Sequence, residues 1–420
     1  MKQGDFYRKE NCRLCDSSTL EKSLVLTPTP PGNNFLKEIQ EGFKEKEYPL
    51  ELYFCCECFH IQLGHVVDPS FLFQNNYSYV SSTSSVFVKH LEDYSKYVID
   101  KFDLRKDSLI VDIGSNDGTC LSFFKESGMR VLGVDPAKEV CDIAIDNGID
   151  TLNDFFTANL ANEIENKYGQ ASLITSHNAC AHIDDLSSVI KGVESLLHET
   201  GVFIMEVGYF VDVFENKWFD TIYHEHLDFH TVAPLEKMFE KNNMELIRVE
   251  RVSPQGGSIR VFSQKKNGVH HKDSTVQELI DLESQIGLDS SKTLKNFEKN
   301  INIVKDDFKT IIRDIKSDGA TVAAFGAATK ATTLMYHFQL DKEDIEFIVD
   351  DNPLKQNVFS PGKHIPVVSS EKIYEQMPDY IVILAWNFAE SIMQQHKKYL
   401  ELGGSFILPM PEPVVVDSLK

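Results

Sequence analysis

The densest run of chemically capable side chains in this 420-residue chain is Tyr223-His224-Glu225-His226-Leu227-Asp228-Phe229-His230. Histidine is the usual general base near neutral pH. A tyrosine and a glutamate beside it can tune it or steady a developing oxyanion. The run is not a zincin H-E-x-x-H, because Asp228 stands where the second histidine is required. A metal set of His224, His226 and His230 and a solvated surface are the alternative readings. His182 closes the stretch His177-Asn178-Ala179-Cys180-Ala181-His182, and Tyr77 and Tyr79 lie well upstream. All three are candidates to face the same cleft.

A second constellation is Val111-Asp112-Ile113-Gly114-Ser115-Asn116-Asp117-Gly118. Its glycines let backbone approach a ligand closely, and a helix starting there favours a carboxylate or phosphate. The spacing is D-x-G-x-N-x-G and fails the dinucleotide pattern G-x-G-x-x-G, since Asn116 and Thr119 stand at the second and third glycine positions. Asp135 follows in Gly133-Val134-Asp135-Pro136, and Asp154-Phe155-Phe156 follows that. Several carboxylates around one pocket suit a cationic ligand.

The third is a pair of C-x-x-C turns, Cys12/Cys15 and Cys55/Cys58. Each offers two thiolates, and four thiolates satisfy a tetrahedral zinc with no open position, which is a structural site. Cys56 and His60 are spare ligands. The alternative is four ordinary thiols.

These residues need elements to hold them. The spacing of Val86, Val88, Leu91, Tyr94, Val98 and Phe102 predicts a helix over 86–102. The apolar runs 108–113, 130–134, 171–176 and 202–207 read as buried parallel strands, with helices at 120–127 and 138–146 between them. This is the rhythm of a doubly wound sheet. Residues 273–317 are charged and helical. A second alternation follows, with strands at 321–325, 345–349, 380–384 and 405–408. The expected organisation is α/β in four parts: a zinc-binding module (1–70), a Rossmann-like domain carrying the Gly-rich turn (71–270), a helical linker (271–317) and a second Rossmann-like domain (318–420).

Composition limits the partners. The formal net charge is −22, which disfavours a nucleic-acid backbone as partner. No stretch approaches the ~18 apolar residues of a membrane span. Met1 to Glu10 is polar and lacks the apolar core of a signal peptide, so the cytoplasm is the expected compartment.

The D-x-G-x-N-x-G turn resembles motif I of class I S-adenosylmethionine methyltransferases. That resemblance implies cofactor contacts from Asp112, Gly114, Ser115, Asn116, Asp117 and Gly118, ribose contacts from Asp135, and further contacts from Asp154, Phe155 and Asn178. The whole chain resembles the three-domain sugar C-methyltransferases that act on nucleotide-linked 4-keto-6-deoxyhexoses. The matching pieces are both C-x-x-C pairs, Ala181-His182-Ile183, Tyr223 to His226, Gln255 to Val261, Gly326 to Lys330, Asp351 to Gln356 and Pro361 to Pro366. Ala331, Lys363 and Cys180 depart from that family's pattern. The resemblance implies His226 as base, assisted by Glu225, Tyr223, His182 and Tyr77. It implies substrate contacts from Tyr79, His224, Ser258, Arg260, Lys330, Asp351 and Lys355, with the C-terminal unit holding the nucleotide. A small-molecule O-methyltransferase, an NAD-dependent sugar-nucleotide epimerase or dehydrogenase using Asp350 or Asp351, and a non-catalytic binding protein are the rival readings.

Overall fold

The computed structural model describes residues 6–40, 42–73 and 80–419. Its centre is a seven-stranded sheet. Across it, in spatial order, run the strands Met244–Val252, Ser258–Lys265, Leu197–Gly208, Ala171–His177, Leu109–Ile113, Arg130–Asp135 and Thr151–Asn153. All pairings are parallel except those of Ser258–Lys265, which lies antiparallel between its neighbours. All five residues of Leu109–Ile113 are buried, as a parallel strand covered on both faces must be. The helix Ser85–Lys101 covers one face with Phe87, Leu91, Tyr94 and Val98, spaced as one stripe. Ser84 caps it, its side chain accepting from the amide of Phe87.

A second seven-stranded sheet forms from the C-terminal part. The parallel strands Pro366–Val368, Ile348–Val349, Val322–Phe325, Tyr380–Ile383 and Ser405–Leu408 make its centre. Val358–Phe359 and Val414–Val416 close its two edges antiparallel. The chain is thus α/β with two doubly wound units, as the strand–helix rhythm predicts.

The N-terminal part holds an antiparallel sheet that the sequence reading did not resolve. Leu20–Thr29, Tyr48–Cys55 and Ile61–Leu63 pair in that order. A fourth strand, Asp228–Phe229, joins them from the middle of the chain, Asp228 opposite Gln62 and Phe229 opposite Ile61. The histidine-rich run therefore continues as an edge strand of the N-terminal module. Arg13, with a fully buried side chain, reinforces the join, donating to the carbonyls of Leu63 at 2.8 Å and Leu227 at 3.2 Å. It also pairs with Asp184 at 3.0 Å. A buried charge needs this degree of satisfaction to be tolerated.

The charged stretch folds as two helices, Thr275–Ile286 and Ser291–Ser317. The longer one buries Leu294, Phe297, Ile301, Val304, Phe308, Ile312 and Ile315, one stripe at three- and four-residue spacing, and packs on the strand Leu20–Thr29 and the helix Thr329–Phe338. The shorter one inserts Glu283, 3 % exposed, against the start of helix Val232–Lys241. There its carboxylate accepts from the amides of Val232 and Ala233 and from the hydroxyl of Tyr209. A carboxylate at a helix N-terminus satisfies orphan amides and the helix dipole together.

Candidate functional site

The thiolates of Cys12, Cys15, Cys55 and Cys58 converge, all four sulfurs lying within 4.8 Å of one another. The Cys12–Cys58 and Cys15–Cys55 separations are 3.5 Å. A tetrahedral zinc with bonds of about 2.3 Å needs sulfurs about 3.8 Å apart, so the cluster fits the ion. The spare ligands are used otherwise. Cys56 is exposed, and His60 hydrogen-bonds Asp228 at 2.7 Å.

The Gly-rich turn leaves the strand Leu109–Ile113 and enters the helix Thr119–Glu126. Gly114 has φ +73°, and a Cβ there would lie 2.4 Å from that of Ala179. Only glycine lets the turn and the 178–182 loop meet this closely. Asp135 closes the next strand; its carboxylate accepts from the amides of Asn116 and Ala137, both at 2.9 Å. Asn116 and Asp117 in turn accept from the amides of Ser81 and Ser82, tying the turn to the entry of helix Ser85–Lys101. Asp112 is 2 % exposed, and among the described residues its Oδ1 has no partner, nor has the Ser115 hydroxyl. Burial, then the neighbouring Asp135, pushes the Asp112 carboxyl well above its usual range. A buried, unsatisfied carboxylate at the end of a parallel strand beside a glycine cradle is what a cationic ligand would satisfy. Asn178, at φ +59°, turns the chain after the fourth strand, its amide donating to Glu206. Asp154 and Phe155 are exposed at the rim, where the Asp154 side chain accepts from the Phe155 amide.

From Ala179 the short turn Cys180–His182 leads to the histidine run. The amide of Leu227 donates to Ala181, zipping the two loops together. His182 Nδ1 donates to the carbonyl of Glu225 at 2.6 Å, and its ring centre lies 5.0 Å from that of His226. His226 Nδ1 lies 2.7 Å from the carbonyl of Thr221, which only accepts, so Nδ1 carries the proton. Its Nε2 is then the free base, 2.8 Å from the Tyr223 hydroxyl. Burial, then the neighbouring His182, pulls His226 down to about 3, and burial lowers His182. Both rings are neutral near pH 7. Glu225 is 7 % exposed, and burial pushes its carboxyl up to about 7 against the Asn33 hydrogen bond and the charge of Lys355. The loops thus gather a neutral imidazole whose unprotonated nitrogen accepts from a phenol, and a carboxyl poised to hold a proton.

Three family models tile this chain: "Putative zinc binding domain" over residues 12–73, "Methyltransferase domain" over 87–249 and "C-methyltransferase C-terminal domain" over 253–411. The C-methyltransferase NovU of Streptomyces niveus is 34 % identical over 409 residues, covering 97 % of each chain. The chain belongs to this C-methyltransferase family. It is a methyltransferase that uses S-adenosylmethionine and carries a zinc-binding module. Among solved structures, an S-adenosylmethionine-dependent methyltransferase from Clostridium acetobutylicum matches at 16 % identity and a TM-score of 0.36, over 43 % of this chain and 92 % of its own. The magnesium protoporphyrin IX methyltransferase of Synechocystis, with bound SAH, matches at 14 % and 0.34, over 43 % and 83 %.

The remaining expected residues of the C-methyltransferase fall in three places. Lys330 and Lys355 reach the boundary between the two large sheets. Lys330, second in the helix Thr329–Phe338, sets its Nζ 2.7 Å from Asn387 and 3.4 Å from the centre of the Trp386 ring. The Trp386 indole donates to buried Asp220 at 2.7 Å and stacks on Trp218 at 4.5 Å. Burial lowers Lys330 and raises Asp220, each opposed by the other's charge. Lys355 donates to the carbonyl of Ala327 at 2.8 Å, inside the turn after Gly326.

A second group is engaged elsewhere. Arg260, 7 % exposed, pairs with Glu206 at 3.0 Å and Glu250 at 3.7 Å and lies over Tyr94. It is held in the central sheet, and its charge is already matched. His224, 1 % exposed, turns away from His226 and donates to the carbonyl of Tyr48 in the N-terminal sheet. The Ser258 hydroxyl donates to Pro254, and exposed Asp351 accepts from Gln395. Its neighbour Asp350 is the strand-end acid that holds the Gly326 turn, accepting from Ala327 at 2.8 Å. Tyr77 and Tyr79 lie outside the described residues.

Sequence reasoning missed Asn33, whose Nδ2 donates to Glu225 at 2.9 Å. The turn-forming run Pro30-Pro31-Gly32-Asn33-Asn34, inside the zinc-binding module, is the sequence signal that marks the loop carrying it.

Proposed function

We propose that this C-methyltransferase methylates a carbon alpha to the ketone of a nucleotide-linked 4-keto-deoxysugar, with His226 as the base. The observation that supports this most is the tautomer of His226: its Nδ1 is held protonated by Thr221, leaving Nε2 to accept a proton. Nε2 removes the hydrogen alpha to the ketone, and the electron pair moves onto the ketone oxygen as an enolate. Tyr223 and the protonated carboxyl of Glu225 stabilise that oxygen, and such preorganised donors contribute roughly 3 to 4 kcal/mol each; His182, its Nδ1 proton committed to the Glu225 carbonyl, holds that residue in place. Bound S-adenosylmethionine supplies the methyl group as an electrophile, to which the enolate carbon bonds as the sulfur departs. The burial of Glu225 excludes water from the carbanion.

The nucleotide is assigned to the C-terminal unit. The turn after Gly326 leads into a ten-residue helix whose N-terminus and Lys330 suit a diphosphate. Trp386 and Trp218 add an aromatic face beside that lysine.

The test is mass spectrometry of the full chain incubated with S-adenosylmethionine and a panel of nucleotide-linked 4-keto-6-deoxyhexoses, including deoxythymidine and guanosine forms. A product heavier by one methylene with the ketone retained is expected. A product whose carbon-13 spectrum shows an O-methyl resonance would place the methyl on oxygen and overturn the reading.

A further inference from the structure

One side chain of the zinc-bearing module reaches Glu225 of the candidate active site. Its loop at Pro30–Asn34 lies between the histidine run and the C-terminal unit. Asn33 Nδ2 donates to Glu225 Oε1 at 2.9 Å, and Asn33 Oδ1 accepts from the hydroxyl of Thr329 at 2.7 Å. The two bonds fix the amide orientation, because a carboxylate accepts and cannot donate. The loop has little freedom beside them. A Cβ at Gly32 would lie 2.3 Å from the carbonyl oxygen of Thr329, and the Thr332 hydroxyl reaches the Gly32 carbonyl at 3.5 Å. Three parts of the chain therefore meet at one amide.

We propose that Asn33 is a positioning residue, through which the zinc-bearing module and Thr329 of the C-terminal unit together orient the Glu225 carboxyl and set its ionisation. This rests on the reading of Glu225 as a residue of the active site. Few of the described groups face Glu225. Lys355 approaches from the C-terminal unit, His182 binds its backbone carbonyl, and His224 and His226 flank it in sequence. The three neighbouring imidazoles, His182, His224 and His226, are all lowered by burial and stay neutral around pH 7. That leaves Asn33 and Lys355 as the groups holding the carboxyl below where burial alone would send it. The same loop explains how a structural metal bears on the chemistry: the ion keeps the fold of the module that presents Asn33.

The experiment is a carbon-13 NMR titration of the intact zinc-loaded protein labelled at glutamate Cδ, with the Glu225 signal assigned by its loss in Glu225→Gln. Wild type is compared with Asn33→Leu, Thr329→Val and Thr329→Ser. Losing a hydrogen bond to a charged group corresponds to a rise of about one pH unit or more. Asn33→Leu is expected to raise the Glu225 midpoint by about that amount. Thr329→Val should raise it by less, and Thr329→Ser, which keeps the hydroxyl, should leave it unchanged. The midpoint staying within ~0.3 unit in both Asn33→Leu and Thr329→Val would overturn the proposal. Should Asn33→Leu lose its zinc, Thr329→Val decides alone, since it leaves the module's own residues intact. The pH profile of kcat/KM is measured on the same variants. A moved midpoint with an unmoved rate profile would support the Asn33 link while removing Glu225 from the chemistry.

Discussion

The hydroxyl of Tyr223 stands 2.8 Å from Nε2 of His226, and the other nitrogen of that ring is committed to the carbonyl of Thr221. The imidazole is therefore fixed in one tautomer, with its only free lone pair aimed along the phenol. Asparagine is close to histidine in size but has no basic nitrogen. His226→Asn should lose turnover by ~10²-fold or more and keep the affinity for S-adenosylmethionine, since the described hydrogen bonds of this ring run to Tyr223 and Thr221, outside the cofactor turn. Single-turnover assays alongside calorimetric cofactor titration would check both halves. Near-normal turnover would remove His226 from the base role.

Glu225 and His226 pull stability in opposite directions with pH. Glu225 is raised from 4.5 to about 7, so the folded chain holds a proton there that the unfolded chain has released. Its contribution is fully present below pH 4.5 and lost as pH rises through 7, by up to ~3 kcal/mol. His226 is lowered from 6.5 to about 3, so its contribution is present above pH 6.5 and lost as pH falls below. Glu225→Gln removes only the first effect. Its melting temperature, compared with wild type at pH 5 and pH 8, should gain relative to wild type as pH rises. The kcat/KM profile should fall above about pH 7 in wild type, where the carboxyl no longer donates, and lose that limb in the variant.

Much of this arrangement was legible in the residues because periodicity reports local geometry. Four of the seven strands in each large sheet and the helices 85–101 and 138–146 follow from apolar spacing, and the four cysteines from their paired turns. What escaped depends on contacts distant in sequence. Asp228–Phe229 is a two-residue strand whose partner, Ile61–Leu63, lies in another module, and no local pattern announces it. Arg260 carries the charge expected of a diphosphate ligand, but its register opposite Glu206 commits it inside the sheet. Asp350 and Asp351 differ only by which of two adjacent side chains points at the Gly326 turn, and strand ends set that to within one residue at best.

Zinc removal should reach the active site. The edge strand Asp228–Phe229 hangs on Ile61–Leu63, three residues beyond Cys58, and Arg13 lies between two of the thiolates. Cys55→Ser should lower the bound zinc and cut turnover by ~10-fold or more. Cofactor affinity should change little, because the Gly-rich turn belongs to the central sheet. Elemental analysis, turnover and cofactor titration on one preparation distinguish this from global unfolding. Full activity in a zinc-free protein would show that the module serves stability only.

The cofactor turn admits a sharper substitution. At Gly114 the backbone is left-handed, and a Cβ would stand 2.4 Å from that of Ala179. Gly114→Ala must therefore displace the loop that carries Asn178 and His182, or flatten the turn. Either change should raise the dissociation constant for S-adenosylmethionine by ~10-fold or more. Isothermal titration calorimetry with the cofactor reads this directly, and an unchanged constant would place the cofactor away from this turn.

Lys330 offers a test of the nucleotide end that separates charge from packing. Its ammonium lies over Trp386, near Asp220, and removing it leaves that carboxylate buried without a cation. Lys330→Met alone should therefore lose stability as well as substrate affinity. Pairing it with Asp220→Asn removes both charges, and the double variant should recover melting temperature toward wild type. A substrate diphosphate would still lack its counter-charge, so KM should stay ~10-fold or more above wild type while kcat and cofactor affinity change less. Recovery of KM together with stability would mean that Lys330 holds the interface and not the substrate.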